Sequence, residues 1–150
     1  MQLNLERPDY AWFLRGADGK QALVNDRRLH DSFVIAPDTL IEVWPVFDAR
    51  SMAPTDLEPL LALNPELVVL GTGAVQAFPP AAVMAACLSR GIGIEVMTNA
   101  AAARTFSVLA GEGRRIVAGF IFDKPDVGAT EVVNRRKGED PLLPPWTPPS

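Results

Sequence analysis

One cysteine and one histidine occur in the 150 residues of this chain. The lone Cys87 excludes an intramolecular disulfide, a usage that fits a reducing compartment. The lone His30 has no second ligand near it and no Cys/His cluster exists, so no metal site is expected. No apolar run approaches the roughly 18 residues needed to cross a bilayer, so no stable membrane insertion is expected. The first ten residues, MQLNLERPDY, lack a basic stretch leading into an apolar one, and no signal peptide is read there. A basic excess is missing too: 14 basic against 18 acidic residues leave a formal net charge of −4. Nucleic-acid binding needs a clustered basic surface. The one compact basic run, Arg135-Arg136-Lys137, is followed at once by Glu139 and Asp140. The expectation is a soluble, cytoplasmic protein with no cofactor and no nucleic-acid partner.

What is present is a core. Hydrophobic residues make up 48 % of the chain, enough for one globular domain. The first part reads as short β runs broken by turns. Tyr10 to Arg15 is aromatic and apolar, Gly16 to Gly19 supply a turn, and Gln21 to Val24 follow. Arg28 to Ile35 and Thr39 to Trp44 are further runs, the last stopped by Pro45. At Thr55 the period changes. Thr55 with Glu58 fits a capping box, and Leu57, Leu60 and Leu61 form a helical stripe.

The continuous run Leu67-Val68-Val69-Leu70 predicts a strand buried on both faces. Gly71-Thr72-Gly73 turns the chain, and Pro79-Pro80 starts a helix. Val83, Met84, Cys87 and Leu88 are its expected apolar face, and Gly91 its end. Ile92 to Met97 is the next strand. Asn99 is read as the N-cap of an alanine-rich helix through Leu109, with Ala102, Phe106 and Leu109 on one face. Arg115 to Phe122 is the last strand. The β-α-β-α-β order demands crossovers. The predicted fold is therefore α/β: three-layer, with a mixed, largely parallel central sheet flanked by helices and extra N-terminal β structure. Residues 1–122 form its single domain. Residues 123–150, studded with Pro125, Pro141, Pro144, Pro145, Pro148 and Pro149, are expected to be a disordered tail. The favoured expectation is a tail that binds nothing; the alternative is a short anchor for a partner at Leu142-Leu143 and Trp146.

No catalytic set emerges. Gly71-Thr72-Gly73 after a strand suggests a dinucleotide fingerprint, but the third glycine would fall at Gln76, and Ala74 to Phe78 delay the helix that the pyrophosphate needs. No Walker lysine follows. None of Ser32, Ser51, Ser89 and Ser107 sits in a nucleophile-elbow context that would pair it with His30, and Cys87 falls on an apolar helix face. One candidate ligand site remains. The C-terminal ends of parallel strands line a crevice, and here that edge holds Gly71, Thr72, Gly73, Thr98 and Asn99. Arg104 in the following helix is placed to lean toward it and complete a small anion site. The structural alternative is that Asn99 caps its helix and Arg104 pairs with Glu95 or Glu112.

The words PELVVLGTG and GIGIEVMTNAAAARTFSVLAGEGRRIVAGF resemble a widespread domain family. It includes the mitochondrial respiratory complex I assembly factor three and the adipogenesis-associated Mth-domain protein. The similarity covers roughly Leu3 to Phe122 and falls on Gly71, Thr72, Gly73, Met97, Thr98 or Asn99, Arg104, Thr105 and Phe106, ending on Glu112, Gly113 and Arg114. The family often has a cysteine where this chain has Ala103, and an asparagine where it has Ser107. The resemblance implies a non-enzymatic interaction or complex-assembly protein, with a protein partner such as respiratory complex subunits. The other reading is a small-molecule or anion-binding protein, or an enzyme, using the crevice of Gly71-Thr72-Gly73 and Thr98-Asn99.

Overall fold

The structure, a computed structural model, describes residues 11–123. The proline-rich tail, its Leu142-Leu143 and Trp146 anchor, and the basic run at Arg135 lie outside the described residues. Five short strands come first: β1 (Leu14–Ala17), β2 (Ala22–Val24), β3 (Arg27–Leu29), β4 (Phe33–Ala36) and β5 (Thr39–Ile41). Then follow α1 (Glu58–Leu61), β6 (Leu67–Gly71), α2 (Ala81–Leu88), β7 (Gly93–Met97), α3 (Asn99–Gly111) and β8 (Ile116–Phe120). Strands β1, β2 and β3 form an antiparallel meander. The main sheet has the order β5-β4-β8-β6-β7.

Strand β6 pairs in parallel with β7 on one side and β8 on the other, as the crossovers require. The rest of the sheet is not parallel. Strand β4 pairs antiparallel with β8 and with β5. The sheet is therefore evenly mixed rather than largely parallel, because the N-terminal hairpin β4–β5 joins it at β8.

Each strand sends alternate residues to opposite faces, and both faces are covered. Val34, Val68, Leu70 and Val117 pack with Trp44, Leu57, Leu60, Val83 and Cys87 on one side. Phe33, Ile35, Val69 and Phe120 pack with Leu14, Val24, Ala102 and Phe106 on the other. All five residues of β8 are buried, which is why its sequence is apolar without alternation. Phe33 and Phe120 stack across the β4–β8 pair, ring centroids 5.0 Å apart, an arrangement worth about 0.5–1.5 kcal/mol beyond area burial.

Several local expectations shift. Strand β1 runs through Gly16, and the turn after it is made by Asp18, whose carboxylate accepts from the amides of Lys20 and Gln21. Strand β5 stops at Ile41. Trp44 lies beyond it, buried, with its indole N–H donating to the Asp56 carbonyl at 2.9 Å. Its ring covers β8 at Gly119, where a Cβ would come within 2.7 Å of it. The helix predicted from Thr55 begins as a 3-10 turn, Pro54–Leu57. Asp56, not Glu58, closes it, accepting from the Ala53 amide at 2.8 Å.

Helices α2 and α3 end alike. Gly91 and Gly113 adopt φ values of +72° and +81°. In α2 the amides of Gly91 and Ile92 donate back to Leu88 and Cys87, and in α3 those of Gly113 and Arg114 donate to Ala110 and Leu109. This is the two-bond Schellman pattern.

Candidate functional site

The glycine turn sits where β6 and β7 end. Thr72 N–H donates to the Met97 carbonyl at 2.9 Å, and Asn99 N–H to the Gly73 carbonyl at 2.8 Å. The Thr72 hydroxyl accepts from Ala77 N–H at 3.0 Å and lies 2.8 Å from the Val75 carbonyl, to which it donates. Gln76 donates to the Val96 carbonyl at 2.8 Å. So the loop folds back on itself before α2 can start. This is the physical reason that no helix N-terminus stands behind the glycines.

Asn99 is the centre of the arrangement, and it is not the helix cap. Thr98 caps α3, its side chain accepting from Ala101 N–H at 3.3 Å. Asn99 is the first residue of the helix and fully buried. Its Oδ1 accepts from Gly73 N–H at 3.0 Å, and its Nδ2 donates to the carbonyls of Asp18 at 3.0 Å and Ile121 at 3.1 Å. Three separate segments are thereby tied to one side chain. A Cβ at Gly71 would collide with that Oδ1, so position 71 requires glycine.

Gly71, Thr72, Gly73, Thr98 and Asn99 are thus brought together. Their polar atoms face one another. Beside them opens a cleft of about 330 Å³, bordered by Lys20, Asp48, Arg50, Thr72, Gly73 and Asp123. Two cations and two carboxylates border it, so it carries no net charge of one sign. Asp48 is already engaged with Arg50 N–H and the Ser51 hydroxyl.

Arg104 is elsewhere. It is exposed on α3 and lines a second groove of about 470 Å³, between α3 and β1, together with Arg15. Among the described residues it forms no ion pair with Glu95 or Glu112; the basic residues that do pair are Arg15, Arg27, Arg114 and Arg115. Arg15 had no sequence signal as a site residue, because its groove is made by a segment distant in the chain.

The remaining candidates are structural. The Ser32 hydroxyl is buried, donating to the Val46 carbonyl at 2.6 Å and accepting from Phe122 N–H at 2.8 Å. Ser51 and Ser107 bond Asp48 and the Leu14 carbonyl; among the described residues no serine bonds His30, which is exposed. Cys87 is buried, and that burial pushes its thiol above the usual range. Among the described residues no three His, Cys, Asp or Glu side chains gather to hold a metal, and no helix is long and apolar enough to cross a membrane.

One surface stands out. Helix α2 reads AAVMAACL, with no polar side chain. Val83 and Cys87 face the core, while Ala81, Ala82 and Ala85 are exposed and Leu88 is 59 % exposed. Leu88 is therefore not on the core face where the periodicity placed it. In a wholly apolar helix, periodicity has no polar residues from which to tell the outer face. The preceding loop adds Val75, 71 % exposed, and Phe78, 60 % exposed.

Comparison with known proteins gives a consistent placement. A Xanthomonas campestris protein solved by NMR is 54 % identical, with a TM-score of 0.69 over 81 % of this chain and 92 % of that one. A Bordetella pertussis protein described as a Mth938-like domain is 25 % identical, with a TM-score of 0.66 over 85 % and 98 %. The "13 kDa major membrane protein" of Francisella tularensis is 30 % identical over 69 residues, which span 46 % of this chain and 56 % of that protein. The family defined as proteins of unknown function DUF498/DUF598 matches residues 15–121. With that span and a Mth938-like fold, the chain belongs to the DUF498/DUF598 family.

Proposed function

We propose that this chain is a protein-interaction module that helps assemble a larger complex, and that it docks its partner through the outer face of α2 and the loop before it. The carrying observation is the α2 surface. A surface helix normally turns polar residues to solvent, and α2 has none to turn. Val75, Phe78 and Leu88 extend the same apolar character. Fully burying one such side chain contributes about 1.5–3 kcal/mol, so three of them supply a useful part of a docking energy before the ordering costs. Large apolar patches on monomers mark interaction sites.

The resemblance to a mitochondrial assembly factor makes respiratory complex subunits the first partners to seek. A relative named as a membrane protein is in keeping with a partner held at a membrane. The test uses tagged full-length chain in its native lysate, with a Phe78→Glu/Leu88→Glu double variant beside it. A specific partner is expected with the parent chain and at least tenfold less with the variant, whose melting temperature stays close to the parent's because both positions are exposed. Equal recovery by both proteins, or no specific partner for either, refutes the reading.

A further inference from the structure

We infer that the groove between β1 and α3 binds an amphiphilic carboxylate, its head held by Arg15 and Arg104 and its apolar body lying on the alanines of α3. Among the described residues, the ionisable ones lining this groove are two arginines, and the floor is formed by Leu14, Ala17, Ala100 and Ala103 with Val108 beside them. Among the described residues no carboxylate borders it, unlike the cleft at the glycine turn, where opposite charges cancel.

The two guanidiniums are available. Arg104 makes no hydrogen bond or ion pair among the described residues. Arg15 has only a loose tether: Asp26 at 4.0 Å, itself fully exposed, and the Asn25 carbonyl at 3.4 Å. A planar guanidinium fork matches the two oxygens of a carboxylate.

The local sequence shapes the groove for this use. The pairing of β1 with β2 slips between Leu14 and Gly16; such a bulge re-aims the side chain it carries, and here that residue is Arg15. A Cβ at Gly16 would meet nothing within 4 Å, so the space beside it is open. On α3, Ala100, Ala103, Arg104 and Ser107 follow the i, i+3, i+4, i+7 spacing of one helical face. The alanines keep the floor low. Ser107 donates to the Leu14 carbonyl at 2.9 Å, which pins the helix to the strand and fixes the groove's width. Its volume of about 470 Å³ falls in the range of roughly 300–1,000 Å³ typical of small-molecule sites. A bare anion would leave the apolar floor wet, and an uncharged apolar molecule would leave the arginines unused; an amphiphile satisfies both.

The test is amide NMR of the full chain titrated with octanoate, with acetate and anionic phospholipid vesicles as parallel arms and an Arg15→Gln/Arg104→Gln variant as control. Octanoate is expected to give saturating shifts confined to residues 14–17 and 100–108. The variant is expected to bind at least tenfold more weakly, and acetate to produce no saturation. Shifts scattered over the surface, an unchanged affinity in the variant, or acetate matching octanoate overturns the inference. Vesicle binding without an octanoate response also overturns it, in favour of a lipid surface. Because α2 and α3 cover opposite faces of the sheet, this outcome is separate from that of partner capture at α2.

Discussion

Replacing Asn99 by aspartate changes one atom pair and makes a sharp test of the turn's architecture. The parent side chain gives two N–H donors to the carbonyls of Asp18 and Ile121 and one acceptor to Gly73 N–H. In Asn99→Asp the acceptor survives, but the one nitrogen that carried both donors becomes an oxygen facing two carbonyl oxygens in a fully buried position. Burial and those carbonyls disfavour the ionised form, so the introduced acid's folded-state pKa rises above its unfolded value of about 3.9. The sign follows. Below about pH 3.9 the acid is neutral in both states, and its hydroxyl replaces one of the two lost donors, leaving one carbonyl unmatched at a cost of about 1–3 kcal/mol. As pH climbs from there toward the raised folded-state pKa, the unfolded state ionises and the folded state does not. Stability then falls by about 1.4 kcal/mol per pH unit. A rise of about three units, within the range reached by fully buried carboxyls, adds about 4 kcal/mol of loss by neutral pH. Urea unfolding at pH 4.5 and pH 7.5, variant against parent, reads this directly. Asn99→Ala is the control, since its loss carries no titrating group and stays constant with pH. If the gap between Asn99→Asp and the parent is the same at both pH values, the side chain is not buried against those carbonyls and the account of the turn is wrong.

Two further predictions concern the core. Gly119→Ala places a methyl within 2.7 Å of the Trp44 ring and 3.3 Å of Leu60; overpacking of this kind costs about 1–3 kcal/mol. A lower denaturation midpoint with altered tryptophan emission is expected, and an unchanged midpoint would show that the ring does not lie on β8. Cys87 is buried with its thiol pushed up, so alkylation at pH 8 is expected to be slow in the native protein and to accelerate with denaturant as the core opens. Rapid stoichiometric labelling in buffer would contradict that packing.

The parts of the fold legible in the sequence are those whose cause is local. Leu67 to Leu70 lacks alternation because Val68 and Leu70 enter one core and Val69 the other. Gly91 and Gly113 stop their helices because each adopts a positive φ. What was not legible depends on partners far along the chain. Thr98 and Asn99 are both good caps by residue type. Only Asp18, Gly73 and Ile121, gathered by the fold, decide that Asn99 goes inside and Thr98 caps. The antiparallel addition of β4 to β8 leaves no local trace, since a short apolar run such as Phe33 to Ala36 pairs equally well in either direction. Arg104 was expected to lean toward the glycine turn, but the groove it lines is made with Arg15 of β1, a residue 89 positions away that no local pattern connects to it.

Asn99 and Ser32, the buried polar side chains among the described residues, both bond the main chain just after β8, at Ile121 and Phe122. Each is satisfied by backbone from other segments. A fully satisfied buried network fixes one arrangement of the chain, and that explains the glycines and the asparagine at the turn without any ligand. Recognition needs groups that the fold has not used. The outer face of α2 presents apolar surface that meets no other part of the described chain, and Arg104 presents a guanidinium with no partner there. The residues that best mark the family words at the turn are therefore the residues that hold the domain together. The surfaces proposed for a partner and a ligand lie on the helices that cover either side of the sheet. A substitution at Asn99 is then expected to act through stability, whereas substitutions at Leu88 or Arg104 act on binding with the fold intact.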